Sequence, residues 1–243
     1  MNTKESFLAL YKFQTANMNS LTALKKCSLF FSSLEKFNDA TENMFGLLPS
    51  EEIIDRKIIP DIEKLKKCGL LCMGSDSENP LLESNLLMWT HYGSELSGVC
   101  LVFDYEMLKD SFEKNGCGTH GEVEYGYPKL LATDQLWSMH LGIEEVAGVN
   151  FKDRDNQLAI NTFIFNKPEC FKYENEYRFF LSEPGLITYN PKALKKIIIG
   201  SKIESETLRD LFIETARTVN CDIEVYKAYV KENSFKIHVE KYL

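Results

Sequence analysis

The chain has 243 residues, 44% hydrophobic and 26% charged, an ordinary globular composition that closes a core without disulfide or metal staples. Its net charge of −8 excludes a nonspecific nucleic-acid coat, which needs a concentrated Lys/Arg surface, but not a nucleotide ligand or a local basic cleft. The seven cysteines, at 27, 68, 72, 100, 117, 170 and 221, sit mostly in apolar runs and read as buried free thiols of a reducing cytoplasm.

The first residues, MNTKESFLALYKF, lack the cationic start and apolar region of a signal peptide, and no apolar run is long enough to span a bilayer. A cytoplasmic protein with no membrane partner is expected. FLALYKF reads as a strand, NSLTALKKC as a helix with a Ser/Thr-rich start, and CSLFFSS as a second strand. The loop SLEKFNDATE follows, and SEEIIDRKIIPDIEKLKK has helical periodicity broken at Pro60. GLLCMGS reads as a buried strand, LLESNLLMWTHYGSELSG as an irregular helical segment, and GVCLVFDYE as a strand. EVEYGYP alternates like a strand, and residues 133–165 read mainly as helix. ENEYRFFLS, KKIIIGS, IEVYKAYV and FKIHVEKY supply later strands, and SETLRDLFIETARTV is an amphipathic helix with a Ser cap. No repeat or long linker divides the chain. One α+β domain over residues 1–243 is expected, with a mixed, mainly antiparallel sheet and peripheral helices.

Three segments carry chemistry. In KYENEYRFF, strand alternation puts Glu174, Glu176, Arg178 and Phe180 on one face and Asn175, Tyr177, Phe179 and Leu181 on the other. Charged residues are mostly solvated, so the plain reading is an exposed strand face. The functional one is a pair of carboxylates oriented by an arginine. In FFSSLEKFNDATE, Asn38 and Asp39 suit a turn and Glu42 a helix cap, yet Ser32, Ser33, Asn38, Asp39 and Glu42 leave a buried strand end, a common place to present polar groups to a cleft. In MWTHYG, Trp89 and Tyr92 are core aromatics or base-stacking rings, and His91 is structural or a hydrogen-bonding group. Neither the histidines nor the Cys68–Cys72 pair has zinc-ligand spacing with a second pair, so no metal is expected. Phosphate-loop, dinucleotide-fingerprint and nucleophile-elbow motifs are missing from the sequence.

LYKF, LFFSSLEKFNDATE, NLLMWTHYGSELSGVCLVFD and KYENEYRFFL, in that order, resemble the bacterial DUF2971 family, named as a domain of unknown function. The resemblance runs over roughly residues 8 to 200 and implies marked positions at Lys12, Asn38, Asp39, Glu42, Trp89, His91, Tyr92, Glu176 and Arg178. More distantly, Lys12, Ser32 or Ser33, and Glu174-Asn175-Glu176 follow the order of site residues in ADP-ribosyltransferase-like proteins. Lys12 stands where that superfamily usually has His or Arg.

This second resemblance implies a split sheet and NAD as substrate. Glu176 would be the catalytic carboxylate, Glu174 would orient the acceptor, Arg178 would hold Glu176 or a phosphate, and His91 would assist. Lys12, Ser32, Ser33, Asn38, Asp39, Glu42, Trp89 and Tyr92 would bind the nucleotide, and the acceptor would be a protein or nucleic acid. The implied role is a transferase or NAD glycohydrolase acting as a toxin or phage-defence effector. Two alternatives stand beside it: a nuclease or phosphodiester hydrolase using Glu42, Asp39 and His91, and a noncatalytic nucleotide sensor.

Overall fold

The computed structural model describes residues 8–37, 46–47, 66–77, 81–127, 130–131 and 164–242. The helices expected at 50–67 and 133–165 lie almost wholly outside them. β1 (Ala9–Thr15) alternates, sending Leu10 to one face and Ala9, Tyr11 and Phe13 to the other. Asn17 starts α1 (Met18–Lys25) with a capping box: its side chain accepts from the Asn19 and Ser20 amides at 2.9 and 3.0 Å, and the Ser20 hydroxyl accepts from the Asn17 amide. β2 (Ser28–Ser33) follows, then the short β3 (Gly46–Leu47), and β4 (Gly69–Ser75), the apolar run that sequence places there.

The segment 82–96 is irregular, as expected, with one short α-helix, α2 (Leu86–His91), capped by the Asn85 side chain. β5 (Gly98–Asp104) is buried along nearly its whole length. The chain then departs from the expected strand: the Asp104 side chain accepts from the Met107 amide at 3.1 Å and starts α3 (Tyr105–Glu113), which buries Leu108 and Phe112. β6 (Thr119–Glu122), β7 (Glu124–Gly126), β8 (Leu130–Leu131) and β9 (Asn166–Pro168) are short, with β3–β8 and β7–β9 forming small parallel pairs. β10 (Glu176–Leu181) is fully buried, and β11 (Gly185–Thr188) pairs with β2. β12 (Leu194–Gly200), α4 (Glu206–Val219) and β13 (Glu224–Val230) form a parallel crossover, and β14 (Ile237–Lys241) closes the edge. The Ser205 hydroxyl caps α4 as expected, accepting from the Leu208 amide at 3.2 Å.

The main sheet is open and mainly antiparallel, and it forks at β4. One edge of β4 pairs with β10 from Gly69 to Gly74. On the other edge β1 takes Gly74 and Ser75 while β2 takes Leu70 and Ser33 joins Gly69, so Cys72 between them meets neither strand. From the fork, β11 and β2 run one way, β1, β5, β12, β13 and β14 the other. Helices α1, α3 and α4 cover one face, where Leu24, Phe112 and Phe212 meet Phe31, Leu101 and Phe179. Segment 82–96 covers the opposite face over β1, β5 and β12, where Trp89 packs edge-on against Phe13 at 5.1 Å. At the fork itself this cover is thinner: Leu82 packs on Gly74, and Met88 and Tyr92 border the space beside it.

Candidate functional site

A cavity of about 260 Å³ lies beside the fork. Its walls are largely aromatic and apolar, with Tyr11, Phe13, Phe30, Phe37, Met88 and Tyr92, and its polar groups are Lys12, Ser32, Lys36, Lys167, Glu174, Glu176 and Arg178. Alternation explains the floor: Tyr177, Phe179 and Leu181 of β10 enter the helix-covered core, leaving Glu176 and Arg178 on the cavity side.

The solvated-face reading of KYENEYRFF is overturned, because Glu174, Glu176 and Arg178 are only 3%, 5% and 1% exposed. A second expectation also fails. Glu174 does not lie on the strand; it ends a 3-10 helix, and Asn175, at φ 42°, turns the chain into β10. The Asn175 side chain tolerates this left-handed turn and donates to the Ser75 carbonyl at 2.6 Å.

Buried charges need partners, and these have them. Arg178 grips Glu176 with Nε to Oε1 at 2.7 Å and Nη2 to Oε2 at 3.3 Å, and its Nη1 donates to the Ile164 carbonyl. Lys167 bridges the carboxylates, 2.7 Å from Glu174 Oε2 and 3.2 Å from Glu176 Oε2, with its ammonium 4.7 Å from the Phe171 ring centre. The Tyr92 hydroxyl donates to Glu174 Oε1 at 2.7 Å. The Glu176 amide donates to the Tyr125 hydroxyl at 2.7 Å.

These contacts divide the two acids. Burial would raise Glu176, but Arg178 and Lys167 outweigh it and hold this carboxyl well below its usual range. Burial and the neighbouring Glu176 charge raise Glu174, against the pull of Lys167 and Tyr92. Burial would lower Lys167, yet its two carboxylates raise it. Burial also raises the Cys72 thiol well above its ordinary value, which keeps it in its neutral form.

Lys12 reaches sideways into the fork, where its Nζ donates to the Cys72 carbonyl at 2.8 Å. Burial lowers its pKa, with Cys72 and Glu176 only partly opposing. A strand residue sends its carbonyl and amide to the same side, so the Cys72 N–H faces the same gap.

Lys12, Ser32, Tyr92, Glu174, Glu176 and Arg178 therefore come together. Ser33 does not: it is buried and absent from the cavity wall. Trp89 is a core residue, fully buried, with its indole N–H on the Glu83 carbonyl at 2.8 Å. His91 is exposed beside Tyr92 and Tyr173 and is not among the described residues that line the cavity. Asn38, Asp39 and Glu42 lie outside the described residues. Cys170 and Cys221 are exposed, against the expectation of buried thiols.

Sequence reasoning missed Lys167, Cys72, Tyr125 and the aromatic wall. Cys72 was discoverable once β4 was paired with β10, because it stands opposite Arg178. Lys167, in a three-residue strand of NKP, carries no local signal.

The fold and site together define an α+β protein with an aromatic-walled, charge-lined cavity at a sheet fork. The family described as Protein of unknown function (DUF2971) matches residues 88–179, a span holding β5 and most of α2 and β10, with Tyr92, Lys167, Glu174, Glu176 and Arg178. The resemblance drawn from the sequence holds over that stretch. No curated protein and no solved structure matches the chain. Among the described residues, no helix is long and apolar enough to cross a membrane.

Proposed function

We propose that the cavity at the fork binds a nucleotide, and that this nucleotide is NAD, cleaved at its nicotinamide–ribose bond by an ADP-ribosyltransferase-like or glycohydrolase reaction. One observation carries the reading: Lys12, Ser32, Tyr92, Glu174, Glu176 and Arg178, from distant segments, line a single cavity. Its aromatic walls suit a flat ring, and Lys12 and Lys167 suit phosphate oxygens. At about 260 Å³ it lies just under the usual range for a drug-sized ligand, so it encloses one half of a dinucleotide, with the remainder towards Lys36.

In this reading the bond from the anomeric carbon to the nicotinamide nitrogen breaks with its electron pair on nitrogen. The ionised Glu176 is preorganised negative charge for the ribosyl cation that develops. Glu174 hydrogen-bonds the water or acceptor hydroxyl that completes the exchange. Loss of cellular NAD would suit a toxin or phage-defence effector.

The test is nicotinamide release by the full chain. Glu176→Gln, with an intact near-ultraviolet circular dichroism spectrum, is expected to lower release by roughly a hundredfold or more, as loss of one charge-stabilising group commonly does. Full activity in that variant would end the assignment. A noncatalytic nucleotide sensor is favoured by one specific feature: Arg178 and Lys167 already occupy both Glu176 oxygens. Saturable NAD binding with no nicotinamide released would select it.

A further inference from the structure

We propose that Lys12 is a carbonyl-capturing lysine, whose side-chain amine condenses with the aldehyde or ketone of a small anionic ligand held in the cavity. This goes beyond nucleotide binding and does not depend on it. The three cations around the cavity floor are differently engaged. Arg178 and Lys167 are tied to both oxygens of Glu176, and Lys167 also to Oε2 of Glu174. Among the described residues, Lys12 has one side-chain hydrogen-bond partner, the Cys72 carbonyl, and no carboxylate within ion-pair distance. An ammonium or amine has further N–H directions to offer, and Lys12 is one of the residues that line the cavity.

Only a neutral amine attacks a carbonyl, and burial moves Lys12 in that direction, as in lysines that form Schiff bases. Glu174, which burial and Glu176 press towards its protonated form, lines the same cavity and supplies the acid. Lys36 at the rim and the buried Lys167 attract an anionic group on the ligand, and the aromatic walls accept a flat carbon skeleton.

The step balances without an outside oxidant or reductant. The Lys12 nitrogen bonds to the carbonyl carbon, the carbon–oxygen π pair moves to oxygen, and that oxygen takes a proton from Glu174. The nitrogen returns its proton to the carboxylate. A second protonation then lets the hydroxyl leave as water while the carbon–nitrogen double bond forms and the nitrogen gives up its remaining proton, so Glu174 ends protonated and one water is released.

Pyridoxal 5′-phosphate is a suitable probe, being a small aromatic aldehyde with a phosphate. The full chain would be incubated with one equivalent, reduced with borohydride and mapped by peptide mass spectrometry. The expected result is one pyridoxyl group on Lys12, lost in Lys12→Arg and kept in Lys202→Arg, where the lysine is exposed. Unphosphorylated pyridoxal is expected to label Lys12 about tenfold less, the effect of losing a charge-assisted contact. Labelling of Lys12 no faster than the exposed Lys202 and Lys231 would overturn the proposal, and this comparison uses the unaltered protein, so it holds even if the variant misfolds. The outcome is separable from the NAD reading, because imine trapping requires no nicotinamide release.

Discussion

Lys167 shows how much one buried side chain can determine. Lys167, 7% exposed, sets its ammonium between Glu174 and Glu176, and without it the two carboxylates would face each other with, among the described residues, Arg178 as the cation paired to Glu176. Removing one partner of a buried ion pair typically costs about 3–5 kcal/mol, so Lys167→Met is expected to lower urea-unfolding stability by about that amount at pH 7. The pH dependence has a sign. Glu176 has a folded pKa below its unfolded value, so its contribution is present above about pH 4.3 and is lost as pH falls towards the folded value. Glu174 has the opposite shift, and its contribution is present in acid and lost as pH rises through its folded value. Urea midpoints from pH 3 to 8 should therefore show the wild-type advantage over Lys167→Met narrowing below about pH 4.3. A constant gap would mean that Lys167 acts by packing alone. At this scale the sequence was partly legible: strand alternation singled out Glu176 and Arg178, but could not reveal that Asn175 turns left-handed or that a lysine nine residues before Glu176 folds back onto it.

Each strand around the fork is recognisable by itself, since SLFFSS, GLLCMGS and EYRFFL are segments of strand length built around apolar and aromatic residues. The fork is not, because register and neighbours are set by pairings between distant segments, such as Gly74 with Tyr11 and Glu176. Helix α3 went unread for a related reason: DYE continues the apolar strand before it, and the Asp104 cap is visible only when the chain is seen to turn. Gly74 tests whether close packing maintains the fork. A Cβ there would lie 2.2 Å from Leu82 Cδ2, a side chain with no exposure, and 3.3 Å from the Glu174 carbonyl oxygen. Gly74→Ala is expected to cost about 1–3 kcal/mol, the range for overpacking a core. Gly121→Ala on β6, whose Cβ would make only ordinary contact with Phe165 at 3.7 Å, is expected to be neutral or stabilising by about 0.5–1 kcal/mol. Thermal melts of the two variants decide this; equal losses would show that Leu82 yields freely.

For the whole molecule, the net charge of −8 repels anions at long range, whereas the cavity gathers Lys12, Lys36, Lys167 and Arg178 against two carboxylates. The local excess prevails only where salt screens the rest of the surface, since the Debye length is about 10 Å at 0.1 M. Lys36, exposed at the rim, lies within that distance of an anion entering the cavity; Lys231 follows β13, four strands from β4 and so about 19 Å away across the sheet. Lys36→Glu is therefore expected to weaken binding of the phosphate-bearing probe or nucleotide by roughly three- to tenfold at 0.1 M salt, as reversing an exposed charge does. Lys231→Glu, with the same change in net charge, should leave the affinity within about twofold. Raising the salt to about 1 M, where the screening length falls to about 3 Å, should remove most of the Lys36 difference. Equal weakening by both variants would assign recognition to the field of the whole protein, and no effect from either would place it wholly in the buried cations at the fork.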